Sequence, residues 1–154
     1  MSGKRTEQHQ CYMDLAPLFL YFVVVIMRQA KCHALCSSET VTEVKDLMSQ
    51  IAKKELYDCR LYTPTPTDYE QNCSRSMLTC FEKEATVLIR ESKELSFKLI
   101  KMLNQLAKQL QDKRLTCPAC EVYKEEQANK FLDALLKTLQ KMNANDCPFS
   151  QSRT

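Results

Sequence analysis

Cysteine is the residue through which this chain could do chemistry. Beyond residue 36 it has six: Cys59, Cys73, Cys80, Cys117, Cys120 and Cys147. Cys117 and Cys120 stand close together in Leu115-Thr-Cys-Pro-Ala-Cys-Glu121. A pair at that spacing can be a dithiol redox couple, half of a zinc site, or two ends of separate cross-links. The redox couple needs a strand to present it and a helix N-terminus to hold its thiolate. A helical pattern follows Cys120, but no βαβ pattern precedes Cys117. Zinc needs a second compact ligand pair. Cys73 and Cys80 are spaced like neighbouring turns of one helix, and the two histidines, His9 and His33, lie near the N-terminus. The cross-link reading fits the distances. On a helix Cys73 and Cys80 lie about 10 Å apart along the axis, and an extended Cys117-to-Cys120 segment also spans about 10 Å. Laid side by side, they match Cys73 with Cys117 and Cys80 with Cys120.

Nothing else in the sequence resembles a catalytic set. Beyond residue 36 there is no histidine, no GxSxG and no metal-spaced carboxylate cluster. Adjacent acids such as Glu82/Glu84 and Glu125/Glu126 read as solvated helix faces. No catalytic residue, metal or cofactor is expected.

The elements that must carry these sulphurs follow from composition and period. The chain has 154 residues, 44% hydrophobic, and a single glycine, Gly3. Hairpin-rich β structure, phosphate loops and dinucleotide fingerprints all need glycine, so an all-α fold is expected. Thr40-Val-Thr-Glu43 has the form of a capping box, and Val44, Leu47, Met48 and Ile51 follow at helical spacing, which predicts a first helix over 40–57. Pro64 and Pro66 bias the residues before them away from helix, so 58–72 reads as an extended crossover. A second helix is expected over 74–91 with Met77, Phe81, Ala85 and Leu88 on one stripe. A third, over 94–112, carries Leu95, Leu99, Leu103, Leu106 and Leu110. A fourth, over 121–143, carries Ala128, Phe131, Leu132, Leu135, Leu139 and Met142. Each stripe reads as core. A long first connection, a short second and an intermediate third suit a short-chain four-helix bundle of up-up-down-down topology with two long crossovers, the arrangement of cytokines.

The N-terminus has a different character. Lys4 and Arg5 precede the apolar run Leu15–Met27, and small residues follow at Ala34 and Ser37. Thirteen apolar residues suit the hydrophobic region of a signal peptide better than a membrane span. The reading is a signal peptide over 1–36, cleaved at about 34–38, a helical domain over 37–144, and a flexible tail over 145–154. The leader carries Lys4, Arg5, Arg28 and Lys31 against Glu7 and Asp14, which leaves a formal net charge of +1 on the remainder. Bulk charge therefore makes no case for nucleic acid or membrane insertion. An even set of cysteines in a small secreted domain reads as a disulfide framework.

Two stretches carry a family likeness: Asp68-Tyr-Glu-Gln-Asn-Cys73 through Cys80-Phe81, and Leu115-Thr-Cys-Pro118 with Cys120 and the helix ending in Gln140-Lys-Met142. From about Glu39 to Met142 the chain resembles the interleukin-21 branch of the interleukin-2, interleukin-15 and interleukin-21 cytokine group. In that family two bridges join first cysteine to first and second to second. Departures are visible. The end of the third helix, Asn104–Leu115, is shorter and more neutral than the basic, proline-bearing one of interleukin-21. Leu61–Glu70 leans slightly toward interleukin-15. Cys59 and Cys147 are extra. A third bridge between these two is disfavoured if the first and fourth helices end at opposite ends of the bundle, roughly 25 Å apart, against about 7 Å for disulfide Cα atoms.

The resemblance implies a secreted, monomeric signalling protein with two partners. A private chain like the interleukin-21 receptor would contact Glu43, Asp46, Leu47 and Gln50 on the first helix, with Lys98 and Lys101 on the third. The common cytokine receptor gamma chain would contact Gln140, with Lys141 and Asn143 beside it. Asn72-Cys73-Ser74 is in form an N-glycosylation acceptor. The rival readings are a saposin-like lipid-interacting helical domain, testable by liposome binding, and a thiol oxidoreductase in which Cys117 and Cys120 reduce together.

Overall fold

A computed structural model gives the fold and describes residues 15–35, 38–54, 56, 58–93 and 97–146. The chain divides into two compact units, Met1–Ala34 and Leu35–Thr154. The first holds all but the last residue of α1 (Leu15–Leu35), an apolar helix on which Leu18, Phe19, Leu20, Tyr21 and Phe22 are all exposed. Among the described residues no helix is long and apolar enough to cross a membrane.

The second unit is mostly helical. Its elements are α2 (Ser38–Ile51), β1 (Arg60–Tyr62), α3 (Pro66–Glu70), α4 (Ser74–Ser92), α5 (Lys98–Gln109), β2 (Glu125–Gln127) and α6 (Ala128–Asp146). Most residues of the predicted stripes become its core; Met48 and Leu110 pack against it half-buried, and Leu95 lies outside the described residues. Val44, Leu47 and Ile51 of α2 are buried, as are Met77, Phe81, Ala85 and Leu88 of α4, Leu99, Leu103 and Leu106 of α5, and Phe131, Leu132, Leu135, Leu139 and Met142 of α6. α4 packs on α5 and α2 on α6. Phe81 and Phe131, both fully buried, tie α4 to α6 through rings whose centroids are 5.5 Å apart.

Several boundaries differ from the sequence-based expectation, the larger differences for local reasons. The first helix stops at Ile51 rather than 57, because its end tightens: Lys53 and Lys54 donate their N–H groups three residues back, to Gln50 and Ile51. The Lys54 ammonium then donates to the Ser92 carbonyl at the end of α4, 2.9 Å away. The crossover is not simply extended. Pro66 opens α3, and the Asp68 carboxylate accepts both the Thr65 N–H and its hydroxyl at 2.7 Å. The third helix is described over Lys98–Gln109 and ends before 112, because Leu110 is already extended; residues 94–96, with Leu95, lie outside the described residues. The fourth begins at Ala128 rather than 121, because Glu125–Gln127 forms antiparallel pairs with Arg60–Tyr62, and a backbone that hydrogen-bonds a strand cannot also start a helix. The all-α expectation therefore gains one small two-stranded sheet.

α2 and α5 are also joined at their starts. Lys98 at the start of α5 forms ion pairs with Glu39 and Glu43 near the start of α2, at 3.1 and 3.2 Å. The starts of α2 and α5 therefore lie side by side, while the last turn of α2 meets the first turn of α6 around Met48, Ile51, Ala128 and Leu132.

Candidate functional site

The sulphur chemistry resolves into two cross-links. Cys73 precedes α4 and bonds Cys117, with Cα atoms 5.7 Å apart; Cys80, two turns along, bonds Cys120 at 5.2 Å. Cys117 and Cys120 thus reach different partners and form no couple with each other. Cys73 and Cys80 are buried, and the bridges lay the 117–120 segment along one side of α4. Among the described residues no cluster of three or more His, Cys, Asp or Glu side chains could hold a metal.

Polar contacts reinforce the same seam. Cys73, in the capping position of α4, offers no side-chain hydrogen bond to the helix start. Asp112 supplies it from a distance: one carboxylate oxygen accepts the N–H groups of Arg75 and Ser76 at 3.0 and 3.1 Å, and the other accepts the Ser76 hydroxyl. Alongside, the Lys113 N–H donates to the Asn72 carbonyl at 2.8 Å, and Arg114 donates to the Gln71 side chain. Replacing Asp112 with alanine leaves those donors uncapped. The expected loss is about 1–2 kcal/mol, read as a lower urea midpoint, with Asp112→Asn retaining more of the stability. Sequence reasoning missed Asp112. The signal was indirect: α4 starts without a Ser, Thr, Asp or Asn at its own cap, so the cap had to come from elsewhere.

After a 3-10 turn over Cys120–Val122, β2 leads back to β1, where the Tyr62 N–H donates to Glu84 of α4 at 2.9 Å. Burial pushes the Glu84 carboxyl above its ordinary value, opposed by that hydrogen bond and aided by the nearby charges of Glu121 and Glu125. A raised folded-state value means the folded chain holds the proton more tightly than the unfolded one. Stability contributed at Glu84 is therefore lost as pH rises from about 4.5 toward neutrality. Glu84→Gln keeps an acceptor for Tyr62 without that titration. Its urea midpoint should vary less over this range than that of the parent; an unchanged slope would exclude Glu84 as the source. Burial likewise raises the Cys59 thiol, with Glu91 and Glu84 adding to the effect. Cys59 is a free, half-buried thiol, and Cys147 lies outside the described residues.

The surface residues singled out from the sequence fall into two groups. On α2, Asp46 and Gln50 are exposed one turn apart, and Glu43 is half-buried and committed to Lys98. Lys101 is exposed on α5, one turn beyond Lys98. Leu47 does not belong with them. It is buried in the core beside Val44 and Ile51, so a partner docking on the exposed face of α2 does not reach it. On α6, Gln140 is exposed, while Lys141 and Asn143 are half-buried. Lys141 forms an ion pair with Glu70 of α3, which fixes its charge next to Gln140. Asn72 is exposed in the turn before α4, at a positive φ of 66° that asparagine tolerates better than most residues.

No protein-family model matches the chain, and no solved structure matches it significantly.

Proposed function

We infer that this chain is a secreted, monomeric cytokine of the interleukin-21-like type, built as an up-up-down-down four-helix bundle on α2, α4, α5 and α6. The observation that carries the reading is the paired cross-linking of one helix, Cys73 to Cys117 and Cys80 to Cys120, within the motifs that resemble that family. Several features support the topology. α2 and α4 end close together, as Lys54 and Ser92 record. Only five residues separate α4 from α5, and a short turn forces an antiparallel pair. α6 begins where α2 ends, and its far end meets α3, next to the start of α4. Disulfides of this kind persist in oxidising compartments, which supports secretion.

On this reading the mechanism is proximity rather than bond-making. One surface, with Asp46 and Gln50 of α2 and Lys101 of α5 at its centre and the Glu43–Lys98 pair at its edge, binds a private class I cytokine receptor. A second, centred on Gln140 of α6 with Lys141 and Asn143 beside it, binds the common gamma chain. Holding both receptors on one rigid body brings their cytoplasmic kinases together. A neutral amide at Gln140 can both donate and accept hydrogen bonds, whereas a carboxylate only accepts. Gln140→Asp is therefore expected to fold normally and bind the private receptor, yet to signal at least tenfold more weakly, as loss of one buried interface hydrogen bond of about 1.5 kcal/mol or more implies. A dose–response of receptor-bearing cells measures this. Unchanged potency would remove Gln140 from the second surface.

A further inference from the structure

Asn72-Cys73-Ser74 is the single Asn-X-Ser/Thr sequence in the chain, and its middle residue is one end of a disulfide. In the folded chain the Asn72 side chain is exposed, but the tripeptide is locked. The Asn72 N–H donates to the Tyr69 carbonyl, its own carbonyl accepts the Lys113 N–H, and Ser74 is already the first residue of α4. Glycan transfer needs the reverse: an extended tripeptide, with the Ser74 hydroxyl free to lie beside the acceptor amide in the transfer enzyme. Such a conformation exists only before Cys73 joins Cys117. That partner lies 44 residues downstream, so during synthesis Asn72 enters the secretory compartment well before the bridge can close.

We propose that Asn72 is an N-glycan acceptor whose occupancy is set by a race between glycan transfer and closure of the Cys73–Cys117 bridge. The inference rests on the secretion argued above. In the transfer, Asn72 Nδ2 bonds to the anomeric carbon of a lipid-diphosphate-linked oligosaccharide. The bond from that carbon to the phosphate oxygen breaks, the lipid diphosphate leaves, and Nδ2 gives up one proton. The exposed turn leaves room for the sugar outside the fold, so the modified chain can still close its bridge. Once the bridge has formed first, the site is lost.

The test is translation of the full chain in the presence of microsomes. External protease reads import, and an N-glycan-cleaving enzyme reads transfer. The expected result is an imported chain of which part shows a glycosidase-sensitive shift, absent in Ser74→Ala. Cys117→Ala, which leaves the tripeptide intact, should raise the modified share, whereas Cys120→Ala should leave it near that of the parent. An imported chain unshifted in both the parent and Cys117→Ala would overturn the acceptor assignment. Equal shares in the parent and Cys117→Ala, or an equal rise in Cys120→Ala, would overturn the race. A chain digested by external protease would overturn the secretion on which both readings depend.

Discussion

Removing both bridges, by alanine at Cys73, Cys80, Cys117 and Cys120 together, should cost more than the two separate removals combined. The reason is geometric. The bridges close overlapping loops of 44 and 40 residues, and either one alone contributes about 4 kcal/mol in the chain-entropy account. With one bridge in place, the other closes only the small ring formed by 73–80 and 117–120, about ten residues, worth about 3 kcal/mol. Each single removal is therefore expected to cost about 3 kcal/mol and the fourfold variant about 7 kcal/mol. That excess over two singles is roughly 1 kcal/mol and comes from the unfolded chain. Against a typical domain stability of about 5–15 kcal/mol, the fourfold variant stands at the edge of folding. Urea titrations of the three variants check it. A fourfold loss no greater than the sum of the singles would mean that the rings are not nested in this way.

Alanine at Phe81 is the second large effect expected. Phe81 is fully buried, and its ring lies against that of Phe131, also fully buried, with 53° between the planes. Truncation removes apolar area and opens a cavity between α4 and α6 that rigid neighbours fill only in part, at about 3–5 kcal/mol. The tilted ring contact adds about 0.5–1.5 kcal/mol of pairwise energy. Phe131→Ala should cost a similar amount, and the double variant should cost less than the sum, because the shared contact is lost only once. Thermal unfolding of the three variants measures this. Strict additivity would mean the rings pack independently.

The helical stripes are legible in the sequence because they depend on a period written in consecutive residues. Met77, Phe81, Ala85 and Leu88 fall on one face by spacing alone, and so do Phe131, Leu132, Leu135 and Leu139; all eight are buried. The four cysteines can be matched in pairs because an extended three-residue step and a two-turn helical step have almost the same length. Long-range polar contacts are not legible. Asp112 reaches Arg75 and Ser76 across more than thirty residues, and nothing local marks it as a cap. The same holds for the start of α6, which helix propensity alone would put at residue 121. The bridge at Cys120 and the pairing of Glu125–Gln127 with β1 together delay it to Ala128. Leu47 shows periodicity prevailing over resemblance: its place in the stripe with Val44 and Ile51 is the better guide to its burial.

The contact between the starts of α2 and α5 bears on how a private receptor would be read. The Lys98 ammonium lies between Glu39 and Glu43, and hydrogen bonding to Glu39 and then Glu43 raises its proton affinity above the ordinary lysine value. Lys98 and Glu39 are exposed and Glu43 is half-buried, so these pairs contribute little to stability. Their contribution is to position: they hold the first turns of α2 and α5 together, on the elements that carry the exposed Asp46, Gln50 and Lys101.

The decisive measurement is the mass, in solution, of the mature chain mixed with the ectodomains of a private class I receptor of the interleukin-21-receptor type and the common gamma chain. The account predicts a single complex with one copy of each, in which Gln140→Asp leaves only the two-component complex with the private receptor. A chain that binds neither ectodomain, or whose gamma-chain complex is indifferent to Gln140→Asp, would contradict it.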